Sequence, residues 1–179
     1  MRRLTQDQAW CHVFTFREGL LSPVGHDLRL RVTRFTLELG EQPLSVWARF
    51  DAASLQVDCA VEGNTDRPDA LSESDRRKIE RAVRDEVLRA HRHPDIVFRS
   101  QHIVPAGDGF EVAGELTLCG CTRPLRLRSR AQGTDQVAEV RLHQPDFGIR
   151  PYTALLGALR VRPDVLVRLG VPAAGQRGS

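Results

Sequence analysis

Residues able to do chemistry are few and scattered along this 179-residue chain. His26-Asp27, with Asp51 and Asp58 further on, can seed a metal or acid–base site. The histidines His12, His26, His91, His93, His102 and His143 lack a zinc spacing, and a catalytic zinc also needs an open ligand position. Their ordinary reading is surface or structural, since histidine is commonly only partly buried. His91-x-His93 falls at the end of a helical stretch, where it complements the helix dipole. Cys119-x-Cys121 is the sharper feature. On an extended strand both thiols share a face, yet a bridge between them would be strained. A redox or metal role stands beside the plainer alternative of small thiols filling a turn. The sequence has no Gly-x-Ser-x-Gly, no phosphate loop and no dinucleotide fingerprint.

The elements that must carry these residues are mostly strands. Phe110, Val112, Leu116 and Leu118 fall on one face of an extended run, with Glu111, Glu115 and Thr117 on the other. After Cys119-Gly120-Cys121-Thr122, Leu125 and Leu127 alternate with Arg126, Arg128 and Arg130, so the two runs predict a β-hairpin. Similar alternation covers Cys11–Arg17, Leu44–Asp51, Asp95–Val104, Gln136–His143 and Asp164–Val171. In Leu28–Leu39 the apolar parity switches, which predicts a bend or bulge near Val32–Phe35. From Ser72 to Arg92 the spacing changes to helical, with Ile79, Ala82, Val83, Val87 and Ala90 on one face and Ser72 as N-cap. The opposite face of that helix reads as solvated. About eight mainly antiparallel strands and one inserted amphipathic helix predict a β-barrel, whose closure removes exposed edges. The domain is expected over 10–171, with a frayed tail over 172–179.

Composition narrows the partners. Apolar residues make up 41% and charged residues 27%, as in an ordinary globular protein. The net charge is only +3, and acids are interspersed with the arginines, so the concentrated patch that nucleic acid requires is not expected. The N-terminus carries no apolar run of signal length and no stretch is long enough to span a membrane. A cytoplasmic protein with reduced cysteines is therefore expected. An exposed edge or the helix can support a homodimer.

Four segments together resemble one family. They are Asp51-Ala52-Ala53-Ser54-Leu55, then His93-Pro94-Asp95-Ile96-Val97-Phe98-Arg99-Ser100, the hairpin Gly114 to Leu125 with its Gly-x-Leu-Thr-x-x-Gly-x-Thr-basic-Pro pattern, and Asp146-Phe147-Gly148-Ile149. In order and spacing they resemble the YceI-like family of lipid- and polyisoprenoid-binding proteins, over roughly His12 to Leu169. The resemblance implies a lipocalin-like barrel that holds a long apolar tail: a polyisoprenoid, an isoprenoid quinone or a fatty-acid-like lipid. It implies no covalent cofactor and no catalysis. The strand pattern by itself is equally satisfied by a filled core, because interiors pack densely. With the resemblance, a tunnel is favoured. Its expected lining is Phe14, Phe16, Leu30, Phe50, Ile96, Phe98, Phe110, Val112, Leu116, Leu118, Leu127 and Leu142, with the ligand's headgroup near His26 or Phe147. The alternative is a small enzyme or redox protein that uses His26, Asp27 or the Cys119/Cys121 pair.

Overall fold

A computed structural model describes residues 1–18, 25–154 and 159–173. Twelve strands form one antiparallel sheet. In spatial order they are β1 (Arg2–Thr5), β5 (Phe35–Glu41), β6 (Leu44–Asp51), β9 (Asp95–Ala106), β10 (Gly109–Leu118), β11 (Cys121–Gln132), β12 (Asp135–His143), β15 (Asp164–Pro172), β2 (Trp10–Thr15), β4 (Asp27–Val32), β7 (Leu55–Glu62) and β8 (Thr65–Arg67). A small second sheet joins β13 (Thr153–Ala154), β14 (Leu159–Val161) and β3 (Arg17–Glu18). The strand count exceeds the eight expected, mainly because short strands such as β1, β3, β8, β13 and β14 carry too few residues to show a period in sequence. β1 pairs with β5, so the sheet begins well before residue 10. At the other end β15 runs to Pro172, and the tail from residue 174 lies outside the described residues.

The sheet curls because the chain crosses it twice at one corner. β4 and β5 stand near opposite ends of the spatial order, yet only Thr33 and Arg34 separate them in sequence. β6 passes to β7 through a 3₁₀ turn, Ala52–Ser54. The crossings bind each other: Thr33 N donates to Ser54 O at 3.1 Å and Asp51 N to Arg34 O at 3.0 Å. This corner is the physical meaning of the parity switch near Val32–Phe35. One strand ends there and another begins, while the true bulge lies earlier, between Arg29 and Leu30.

The β10–β11 hairpin forms as its sequence predicts, with Leu118 opposite Cys121. Cys119 and Gly120 both have positive φ, 50° and 77°, the conformation a two-residue hairpin loop needs. Cys119 therefore sits in the turn and only Cys121 is in a strand.

The helix is shorter than the predicted Ser72–Arg92. It runs as α1 (Glu73–Ala82), capped by Ser72, whose hydroxyl accepts from Asp75 N at 3.1 Å. A π-helical turn follows over Val83–Val87, and Arg89 turns the chain away at φ 49°. Beyond the widened turn Leu88 and Ala90 are both buried, and on a regular helix Leu88 would point away from the Val83–Val87 stripe. α1 packs on β7, and its polar face is not simply solvated. β7 is paired with β4 on one side, and β8 reaches only Ala60–Glu62 on the other. At the remaining edge Glu80 Oε1 accepts from Val57 N at 2.8 Å, and Arg76 Nη1 donates to Asp58 O at 2.7 Å.

Candidate functional site

Period-two alternation places one side chain of each pair inside the curl, and those inward side chains do not fill it. A cavity of about 1000 Å³ lies between the sheet and the helical segment. Ligand cavities span about 300–1,000 Å³, so this one is at the upper end. Packing is dense where the corner and the nearby turns meet. Phe35, Leu37, Ala52, Leu88, Ala90, Leu118 and Cys119 are all buried there. Along the wall, Phe50, Ile96, Leu125, Leu127, Leu142 and Val167 line the cavity and stay only half-buried, because their inner surfaces face open space.

Most of the expected lining residues share this wall: Leu30 of β4, Phe50 of β6, Ile96 and Phe98 of β9, Phe110, Val112, Leu116 and Leu118 of β10, Leu127 of β11 and Leu142 of β12. Phe14 and Phe16 are placed otherwise. From β2 it is Cys11, Val13 and Thr15 that line the cavity, the opposite parity. Phe14 lies on the outer face, where Trp10, His12 and Phe14 form a row with ring centroids 5.1 and 6.4 Å apart. Gly170 opposite Trp10 has no Cβ, and the indole ring occupies that space. With aromatic residues outside and small ones inside, β2 reverses the usual cue, so its facing was not legible from hydrophobicity. Phe147 is 3% exposed and belongs to the packed core instead of the cavity wall. The lining extends beyond the expected set, and two groups of it are instructive. Val165, Val167 and Leu169 of β15 had a visible alternation. Ile79, Val83 and Val87 had a visible helical stripe, but their facing depends on where the helix docks.

The chemically capable residues are dispersed. His26 lines the cavity, while the Asp27 carboxylate accepts from Arg17 N at 2.8 Å. The Cys119 thiol donates to Leu88 O at 3.3 Å, and burial pushes its pKa up. Burial pushes the Cys11 thiol up to about 12, away from the reactive thiolate. The four cysteines are free thiols. His12 is shifted down by burial first and by Arg29 second. Among the described residues no three His, Cys, Asp or Glu gather as a metal-holding group. The cavity's charged lining is Arg2, Glu41, Asp75 and Lys78, with His26 titratable, and Arg2 Nη1 donates to Pro172 O at 3.0 Å. Six neutral polar residues also reach the wall: Thr15, Ser45, Ser129, Gln136, Gln144 and Tyr152. The apolar stretches of such a site can hold an apolar tail by burial alone. No helix among the described residues is long and apolar enough to cross a membrane.

Comparison with curated proteins gives no match. Solved structures share the fold. Burkholderia cenocepacia BcnA superposes with a TM-score of 0.63 at 16% identity, covering 93% of this chain and 96% of that one. A polyisoprenoid binding domain from Saccharophagus degradans, implicated in plant cell wall breakdown, gives 0.57 at 10% identity, covering 96% and 98%. The Campylobacter jejuni YCEI protein gives 0.58 at 13% identity, covering 90% and 92%. The family model described as the YceI-like domain matches residues 14–173, including the hairpin, the corner and most of the wall of the cavity. The chain belongs to the YceI-like domain family.

Proposed function

We propose that this protein is a non-catalytic carrier that holds a long apolar or amphiphilic ligand, of polyisoprenoid, isoprenoid-quinone or fatty-acid type, inside the curled sheet. The observation that carries the reading is the unfilled wall: inward Phe50, Leu127, Leu142 and Val167 face about 1000 Å³ of open space. A packed core of this size would close such a gap, since interiors are as dense as organic crystals. Family membership and a fold shared with a polyisoprenoid binding domain support the same reading. Each methylene moved from water into the cavity contributes about 0.8 kcal/mol, so a long tail binds without a charged anchor. The enzyme or redox alternative draws less support, because Cys119 is engaged with Leu88 O and Asp27 with Arg17 N. The free thiols fit a reducing compartment, and we assign the protein to the cytoplasm. Native mass spectrometry of the freshly purified protein tests the carrier reading. Added mass that organic solvent removes is the expected result. Protein free of extractable lipid that also binds no member of an isoprenoid and fatty-acid series would refute it.

A further inference from the structure

Among the described residues, Gln144 is the buried polar residue that lines the cavity. Gln144 opens the 3₁₀ turn Gln144–Phe147 that follows β12, and it is 7% exposed. Its backbone is fixed from both sides: Gln144 N donates to Pro163 O at 2.8 Å, and Ile149 N donates to Gln144 O at 3.2 Å. Its side chain is fixed too, because Nε2 donates to Arg162 O at 3.0 Å. That bond settles which end of the carboxamide is nitrogen and leaves Oε1 as a bare acceptor. Among the described residues nothing donates to Oε1, although the residue lines the cavity. Thr15, Ser45 and Tyr152 of the wall are only half-buried, and Ser129 and Gln136 pair with each other. Ser129 Oγ accepts from Phe110 N at 3.2 Å and from Gln136 Nε2 at 3.1 Å, so those side chains answer each other. Oε1 is not among the sealed polar atoms that lack a partner, so it stays reachable, and a donor on a ligand can bond to it.

We infer that Gln144 Oε1 is the anchor for a hydrogen-bond donor on the ligand, so that the ligand class is an apolar chain bearing a neutral hydroxyl or N–H group. This rests on the carrier reading and sharpens it. The carbonyl end of the amide favours a hydroxyl over a hydrocarbon end, which offers nothing, and over an ether oxygen, which is itself only an acceptor. The Gln144 backbone bonds hold the acceptor in place before the ligand arrives, so little ordering remains to be done on binding.

The test uses geranylgeraniol and its methyl ether, which differ at the donor. Affinities for both are measured on the wild-type protein and on Gln144→Leu. Taking the ratio of the two affinities removes their different partition from water. The alcohol-to-ether ratio is expected to fall about tenfold in Gln144→Leu, the loss of one hydrogen bond. In the wild-type protein, where folding is not at issue, the Gln144 side-chain carboxamide resonances should shift with the alcohol and stay put with the ether. Binding of both ligands with an unchanged ratio, or equal carboxamide shifts, overturns the anchor while the carrier reading stands. Binding of neither ligand sinks the carrier reading itself.

Discussion

Cys11 is 2% exposed, and burial pushes its thiol up to about 12 from the ordinary 9.0. The folded protein therefore keeps a proton that the unfolded chain releases, and stability falls as pH rises through the window from about 9 to about 12. Cys11→Ala should flatten that alkaline decline in urea melts taken between pH 8 and pH 11. An unchanged slope would assign the decline to other groups. The wall residues offer a sharper contrast. Leu37 is 0% exposed, so Leu37→Ala should cost about 2–5 kcal/mol through the cavity it leaves. Val167 faces the existing cavity, so Val167→Trp should leave the denaturation midpoint nearly unchanged and abolish ligand binding. If Val167→Trp instead destabilises like an overpacked core position, by about 1–3 kcal/mol, the space is not there.

The helical segment, α1 with the π-helical turn after it, does more than its periodicity foretold. Ile79, Val83 and Val87 form the stripe that its periodicity predicted, but the stripe lines the cavity. The polar face also works, since Glu80 and Arg76, four residues apart, satisfy the backbone edge of β7. An unpaired strand edge is a template for pairing with another chain, and here a helix covers it. Glu80→Ala leaves Val57 N–H without its acceptor and should destabilise by about 1–3 kcal/mol in chemical denaturation. Glu80→Gln, which keeps an acceptor oxygen, should stay closer to wild type; equal losses in both variants would argue against the edge bond. Val83→Asp places a charge on the stripe and should cost several kcal/mol or free the helix from the sheet.

For the molecule as a whole, the proposed carrier role makes stability depend on ligand. A ligand that binds only the folded state at about 100 times its Kd adds about 2.7 kcal/mol. Thermal unfolding of delipidated protein should therefore rise with added isoprenoid, more for each added unit, and level off once about 1000 Å³ is occupied. A Tm indifferent to chain length would contradict an elongated apolar site. Short chains should bind poorly because association itself costs several kcal/mol.

Sequence alone determined the mainly antiparallel β architecture, the two strands of the Phe110–Ala131 hairpin, the existence and apolar stripe of the helix, and the inward parity of alternating residues in strands such as β10. These follow from local periods, two for strands and 3.6 for helices, which a chain displays before it folds. Only the tertiary structure decided which face of β2 looks inward, because Trp10 and Phe14 pack outside against Gly170 and His12. It alone decided that the parity switch at Val32–Phe35 is a corner, since that needs Ser54 and Asp51 brought from elsewhere in the sequence. The choice between filled core and cavity was also tertiary. Alternation states which side chains face each other and nothing about how far apart the facing strands stand. Gln144 shows the same limit at one atom. Its type is plain in the sequence, but its free Oε1 exists only because Arg162 O occupies the other end of its amide.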